Sequence, residues 1–180
     1  MKWTVHGERV LYESEWVGLS LVDVEIPGPA GRRFEHHVVR HPYDAAGTIV
    51  HDAERGVLLL WRHRFITDTW GYEIPAGRID PGEVAIEAAR REAYEETGWR
   101  PGELQALVSF NPSNGSSDQR FHIFVARGAE HVGDPPDPSE ADRIEWVSVP
   151  DVRAAIQRGD VQDGLSLTAL CYALAFTAIA

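Results

Sequence analysis

Glu92, Glu95 and Glu96 are the residues of this chain best placed for chemistry. They lie three and four positions apart in Arg91-Glu92-Ala93-Tyr94-Glu95-Glu96, a spacing that puts all three carboxylates on one face of a helix. The segment from Val84 to Thr97 is rich in Ala and Glu and has no Gly or Pro, so it predicts that helix. Asp80, Pro81 and Glu83 predict its start, as N-cap, first-turn proline and third-position acid of a capping box. Gly98 suits the left-handed residue that ends it. Two carboxylates about 5 Å apart repel by roughly 3 kcal/mol at an effective dielectric near 20. A hard divalent cation with oxygen ligands turns that repulsion into attraction, with magnesium the expected ion and manganese its substitute. The alternative is a solvated acidic face in which Arg91 pairs with Glu87 and Glu95 at i,i+4 spacing. That reading explains the acidity but not the flanking glycines.

Gly77, Glu83, Arg91, Glu92, Glu95, Glu96 and Gly98 follow the spacing G-x5-E-x7-R-E-x-x-E-E-x-G. Seven fixed positions at roughly 7% usage each match by chance on the order of 10⁻⁸ per start point. The pattern resembles the Nudix box, the metal-binding signature of hydrolases that cut nucleoside diphosphates linked to another group. Gly77 follows Glu73-Ile74-Pro75-Ala76, read as a short strand entering a tight turn, where a Gly lets the backbone approach a ligand closely. The resemblance implies that the Ala76 carbonyl completes a metal shell of Glu92, Glu95 and Glu96, and that Arg91 orients a box glutamate.

The rest of the chain must position those groups. Its 180 residues with 43% apolar content fit one globular unit with a core large enough to need no staple. The single Cys171 excludes a disulfide framework and points to a reducing, cytoplasmic setting. The first residues are too polar for a secretory signal, and the apolar run Leu165 to Ala180 is too short to span a membrane. A net charge of −11 argues against long nucleic acid as a partner, although bound metal and local arginines allow a nucleotide. Strands are expected at 16–26, 33–40, 47–52, 56–62, 104–110, 121–126 and 143–147, with a turn at Pro27–Gly31. Two further helices are expected near 150–157 and 165–179. The fold class is α/β: the resemblance implies a Nudix α/β/α sandwich with a mixed sheet and an additional N-terminal antiparallel sheet. The expected boundaries are 1–45 for the extension and 46–180 for the catalytic domain.

Leu58 to Arg64, Glu73 to Gly77, the N-terminal extension and the tail from Ile144 resemble the ADP-ribose pyrophosphatase branch. That likeness implies cleavage of ADP-ribose to AMP and ribose 5-phosphate, with divalent ions activating water and neutralising the leaving phosphate. It implies Arg64 as a substrate arginine, Glu73 as a substrate-side glutamate or a structural acceptor, and Trp16 as an aromatic surface for the base. Arg78 is a second phosphate candidate, and Trp70 and Tyr72 are further aromatics that serve either a base or the core. The resemblance implies a general base from a loop before a late strand; here the loop Pro135 to Asp142 offers Glu140, with Asp142 as substitute. His37 and His41 share a strand face but lack the company of a zinc site. One departure stands out: Asn114 occupies the place of the branch's marker proline, with Pro112 two residues early and Gln119 where an acid often sits. Other readings are an ADP- or GDP-sugar hydrolase, a house-cleaning nucleoside triphosphatase, and an ADP-ribose-sensing binding module. By analogy with the branch, the N-terminal sheet is expected to form a homodimer.

Overall fold

The computed structural model describes every residue except Ala30, Thr177 and Ala180. By its internal contacts the chain forms two units: Met1–Asp44 with Asn111–Arg120, and Ala45–Phe110 with Phe121–Ala180.

The first unit holds an antiparallel sheet of β1 (Thr4–Glu13), β2 (Gly18–Ile26) and β3 (Arg32–Arg40), in that order. On β2, Ser20, Val22 and Val24 are buried in alternation, whereas β1 is exposed throughout. Sequence periodicity did not reveal β1, because register shifts at Val5/Gly7 and Val10/Tyr12 break its alternation. Ala30, within the expected turn at Pro27–Gly31, lies outside the described residues. Asn111–Arg120, which lies within the stretch expected for the catalytic domain, groups by its contacts with Met1–Asp44. Its attachment is polar: Val39 N–H donates to the Ser116 carbonyl (2.8 Å), the His36 ring bonds the Gly115 carbonyl (2.8 Å), and Arg40 pairs with Asp118 (3.0 Å).

The second unit is a mixed sheet between helices. Among the described residues it has β4 (Ala45–Asp52), β5 (Gly56–Arg64), β6 (Thr69–Glu73), β7 (Ala76–Arg78), β9 (Leu104–Phe110), β10 (Phe121–Arg127) and β12 (Arg143–Val147). The central order is β12-β5-β4-β10-β9, with β6 on β5 and β7 on β4; β4 and β10 run parallel. The short strands β8 (Trp99–Pro101) and β11 (Ala129–His131) pair separately. Alternate side chains of β4 and β5 feed two cores. Val50 and Leu58 meet Ala93 of α1 (Ala85–Thr97), while Ile49, Val57 and Leu59 pack with Val152, Leu165 and Leu170. The latter belong to α2 (Val149–Arg158) and α3 (Gly164–Ala175). Residues 46–51 of β4 and 56–60 of β5 are buried between the two cores, which explains the apolar run Val57–Leu60.

Three local expectations need correction. Helix α1 begins at Ala85 after an uncapped Val84, not at Asp80. Asp80–Glu83 is instead a turn in which Glu83 N–H donates to the Asp80 carbonyl (2.9 Å) and Gly82 takes φ +84°. Glu83 still reaches back to the Asp80 amide at 3.1 Å, so half of the capping box survives in a turn. Ala76–Arg78 is a strand rather than a tight turn, pairing Gly47 with Ala76 and Ala46 with Gly77. Helix α3 stops at Ala175, short of the expected Ile179; Thr177 lies outside the described residues.

Candidate active site

Helix α1 presents Glu92, Glu95 and Glu96 across from β5 and β7, and two arginines organise them. Arg91 lies on α1 itself. Its Nε and Nη2 grip both oxygens of Glu83 (3.0 and 2.9 Å), and Nη2 also donates to the Arg78 carbonyl (3.0 Å). Its Nη1 donates to Glu92 (2.7 Å) and to Glu95 (3.0 Å). One guanidinium thus ties the helix to the loop before it and aims two of the three box acids. The Arg91–Glu95 pair expected from spacing is present; Glu87 pairs with Arg90 at 3.7 Å instead of with Arg91. These contacts push the Arg91 guanidinium well above its usual range, chiefly through Glu83, and hold Glu83 low.

Glu96 is deeper, 5% exposed. Its Oε1 accepts from Arg62 Nη2 (2.8 Å) and its Oε2 from the Ala76 amide (2.9 Å). Burial pushes its carboxyl up to about 7, against the opposing pull of Arg62 and the Ala76 amide. Burial also raises Glu92, against Arg91. The Glu92 carboxylate lies so close over Gly77 that a Cβ there would force this side chain to shift, so the glycine leaves room for it.

Among the described residues no group of three or more His, Cys, Asp or Glu side chains is gathered as a metal cluster: Glu92 and Glu95 share Arg91 Nη1, whereas Glu96 is held by Arg62. The donors nevertheless fit a hard divalent cation. Glu92 uses Oε1 and Glu95 uses Oε2 in their arginine contacts, and burial penalises the charge on Glu92 and Glu96, a cost that a cation would relieve.

Arg62, at the end of the expected strand 56–62 and within the stretch Leu58–Arg64 that resembles the branch, links the site together. It is 5% exposed and lies on the same face of β5 as Leu58 and Leu60. Besides Glu96 it holds Glu140 through Nη1 (3.0 Å), and its Nε lies 3.8 Å from Glu73. The loop acid expected as a base is thereby brought beside the box. Asp142 is not: its side chain faces Arg143 at 3.8 Å. Glu73 is buried and accepts both Nε and Nη2 of Arg64 (2.9 and 2.5 Å), so it serves a guanidinium rather than backbone amides. Arg64 remains about half exposed and lines a cleft of about 450 Å³ with Ile66, Thr67, Gln162 and Asp163.

Other candidates fall elsewhere. Arg78 gives its carbonyl to Arg91, while its guanidinium pairs with Asp80 at 3.0 Å. Trp70 and Tyr72 pack around Trp61, on the face of β5–β6 opposite Arg62 and Glu73. Trp16 is 63% exposed and belongs to the first unit. Strand alternation places Arg62 on the same face as Arg64 but does not single it out.

The chain is similar to known proteins over most of its length. The NUDIX domain model matches residues 41–166. A CMP-5'-(N-acetyl-N-hydroxy-3-aminopropyl)phosphonate hydrolase of Streptomyces rubellomurinus is 40% identical over 88% of this chain and 76% of its own length. An ADP-ribose pyrophosphatase of Bacillus subtilis is 30% identical over 83% of this chain and 77% of its own. A solved ADP compounds hydrolase shares the fold with a TM-score of 0.83, at 19% identity, over 99% of this chain and 95% of that one. The chain belongs to the Nudix hydrolases, in their ADP-ribose pyrophosphatase-like branch, and is a Nudix pyrophosphohydrolase.

Proposed function

We propose that the protein hydrolyses the P–O–P bond of a nucleoside diphosphate linked to a second group, with ADP-ribose, cleaved to AMP and ribose 5-phosphate, as the first candidate. The observation that carries this is that Arg62 and Glu73 join the box acid Glu96 to Glu140 and Arg64, while Arg91 on the same helix holds Glu92 and Glu95. Glu92, Glu95 and Glu96, with the Ala76 carbonyl, would hold magnesium or manganese. When bound, such ions polarise phosphoryl oxygens, acidify water and neutralise the leaving phosphate. The chain's own residues do the rest. Arg64, held by Glu73 through Nε and Nη2, offers its outer Nη1 edge to a phosphate at the mouth of its cleft. Glu140 takes the proton of the attacking water as its oxygen bonds phosphorus and the bridging P–O bond breaks, the leaving group keeping the electron pair. Arg91 keeps Glu92 and Glu95 aimed.

A second reading is a CMP-linked phosphonate or phosphate ester. The 40% identical Streptomyces relative favours it, as does Asn114 at the branch's usual proline position. Incubation with magnesium and ADP-ribose, ADP- and GDP-sugars, a CMP-linked phosphonate and nucleoside triphosphates, with products identified by phosphorus NMR, decides between them. Turnover of triphosphates alone would overturn the diphosphate reading, and turnover of none would overturn the proposal. Homodimerisation through β1–β3 belongs to the same reading, and a monomeric solution mass would remove it.

A further inference from the structure

Three acids from three different elements share the Arg62 guanidinium: Glu96 of α1, Glu140 of the loop between β11 and β12, and Glu73 at the end of β6. Two of them take one Nη each at hydrogen-bond distance, and Nε has no hydrogen-bond partner. Glu140 is otherwise loosely attached. Its amide lies 3.5 Å from the Asp137 carbonyl and its side chain is 41% exposed. The loop is tied firmly at its ends, by Val132 to Gly98 (3.0 Å) and Asp142 to Trp61 (2.9 Å). Between them the backbone makes a long contact from Asp137 to the Glu95 carbonyl (3.4 Å), and Pro135, Pro136 and Pro138 remove three donors.

We propose that Arg62 is a positioning residue: a two-handed clasp that docks the loop carboxylate Glu140 against Glu96 and so sets where the base stands relative to the metal-binding face. The inference deepens the function proposed above and rests on its assignment of Glu96 and Glu140. The planar fork places two separate nitrogens, Nη1 and Nη2, on two carboxylates from different elements, whereas the donors of a lysine all sit on one nitrogen. A lysine would keep the positive charge beside Glu96 but lacks the second hand for Glu140.

The test is hydrogen exchange in the metal-free, substrate-free protein, comparing wild type, Arg62→Lys, Glu140→Gln and the double variant, followed by kcat and KM for whichever compound the panel identifies. The clasp predicts that amides 137–141 exchange about tenfold faster in either single variant and no faster in the double, with β5 and α1 unchanged. It also predicts that Arg62→Lys lowers kcat with little change in KM. Unchanged loop exchange in Arg62→Lys, additive effects in the double variant, or equal loosening of β5 and α1 would overturn it. Should Arg62→Lys fail to fold, Glu140→Gln alone decides, because an unloosened loop there also overturns the clasp. Exchange needs no turnover, so a protein that cleaves nothing in the panel yet loosens this loop refutes the function and keeps the clasp.

Discussion

The carboxyl of Glu96 offers a quantitative handle on the proposed metal site. Burial lifts it to about 7, so in the metal-free protein a cation must displace a proton to reach it at mildly acidic pH. With that value the group is roughly one tenth ionised at pH 6 and nine tenths at pH 8, so apparent affinity for manganese should rise about tenfold between them. Glu92, raised in the same direction, steepens the dependence. Stability moves the opposite way. A raised carboxyl favours the folded state most below its ordinary 4.5, and that contribution is lost as pH rises through about 7. The shift corresponds to about 3 kcal/mol, which bound cation should restore. Titration calorimetry with manganese at pH 6, 7 and 8, on wild type and Glu96→Gln, reads both the affinity and the protons released. The variant should bind more weakly at pH 8 and lose most of the pH dependence. An affinity independent of pH in the wild type, or an equally steep profile in Glu96→Gln, would refute the reasoning.

Other substitutions probe separate parts of the site. Glu140→Gln should slow hydrolysis by about 10²–10⁴-fold while leaving manganese affinity nearly unchanged, measured by steady-state kinetics and calorimetry; full activity would move the base elsewhere. Arg64→Ala should cost about 10- to 100-fold in kcat/KM, with Arg64→Lys recovering only part, since the bidentate hold on Glu73 needs the fork. Gly77→Ala places a methyl group against the Glu92 carboxylate and should lower both manganese affinity and thermal stability, by about 1–3 kcal/mol in the latter. Wild-type behaviour of that variant would mean that Glu92 does not press on β7.

The box helix was readable because its signal is local: Ala- and Glu-rich sequence, acids at helical spacing, and Gly98, which ends α1 at φ +72°. The apolar runs behind β4, β5 and β10 were readable for the same reason. Its start was misread because Asp80-Pro81-Gly82-Glu83 satisfies both a capping box and a turn, and Gly82 at positive φ decides for the turn. Strands β7, β8 and β11 have three residues each, too few to show a period. Arg62 illustrates the harder limit. Nothing in Leu60-Trp61-Arg62-His63-Arg64 says which arginine turns inward, because that depends on Glu96 and Glu140, 34 and 78 residues away. Ion pairs across such separations arise only when β5, α1 and the β11–β12 loop meet.

Anomalous diffraction at the manganese edge, from crystals soaked in manganese, bears most directly on the proposed site. The account predicts a peak within coordination distance of Glu92, Glu96 and the Ala76 carbonyl, with Arg62 still on Glu140. A soaked crystal with no peak there, and Glu92 and Glu96 still bound to Arg91 and Arg62, would contradict it.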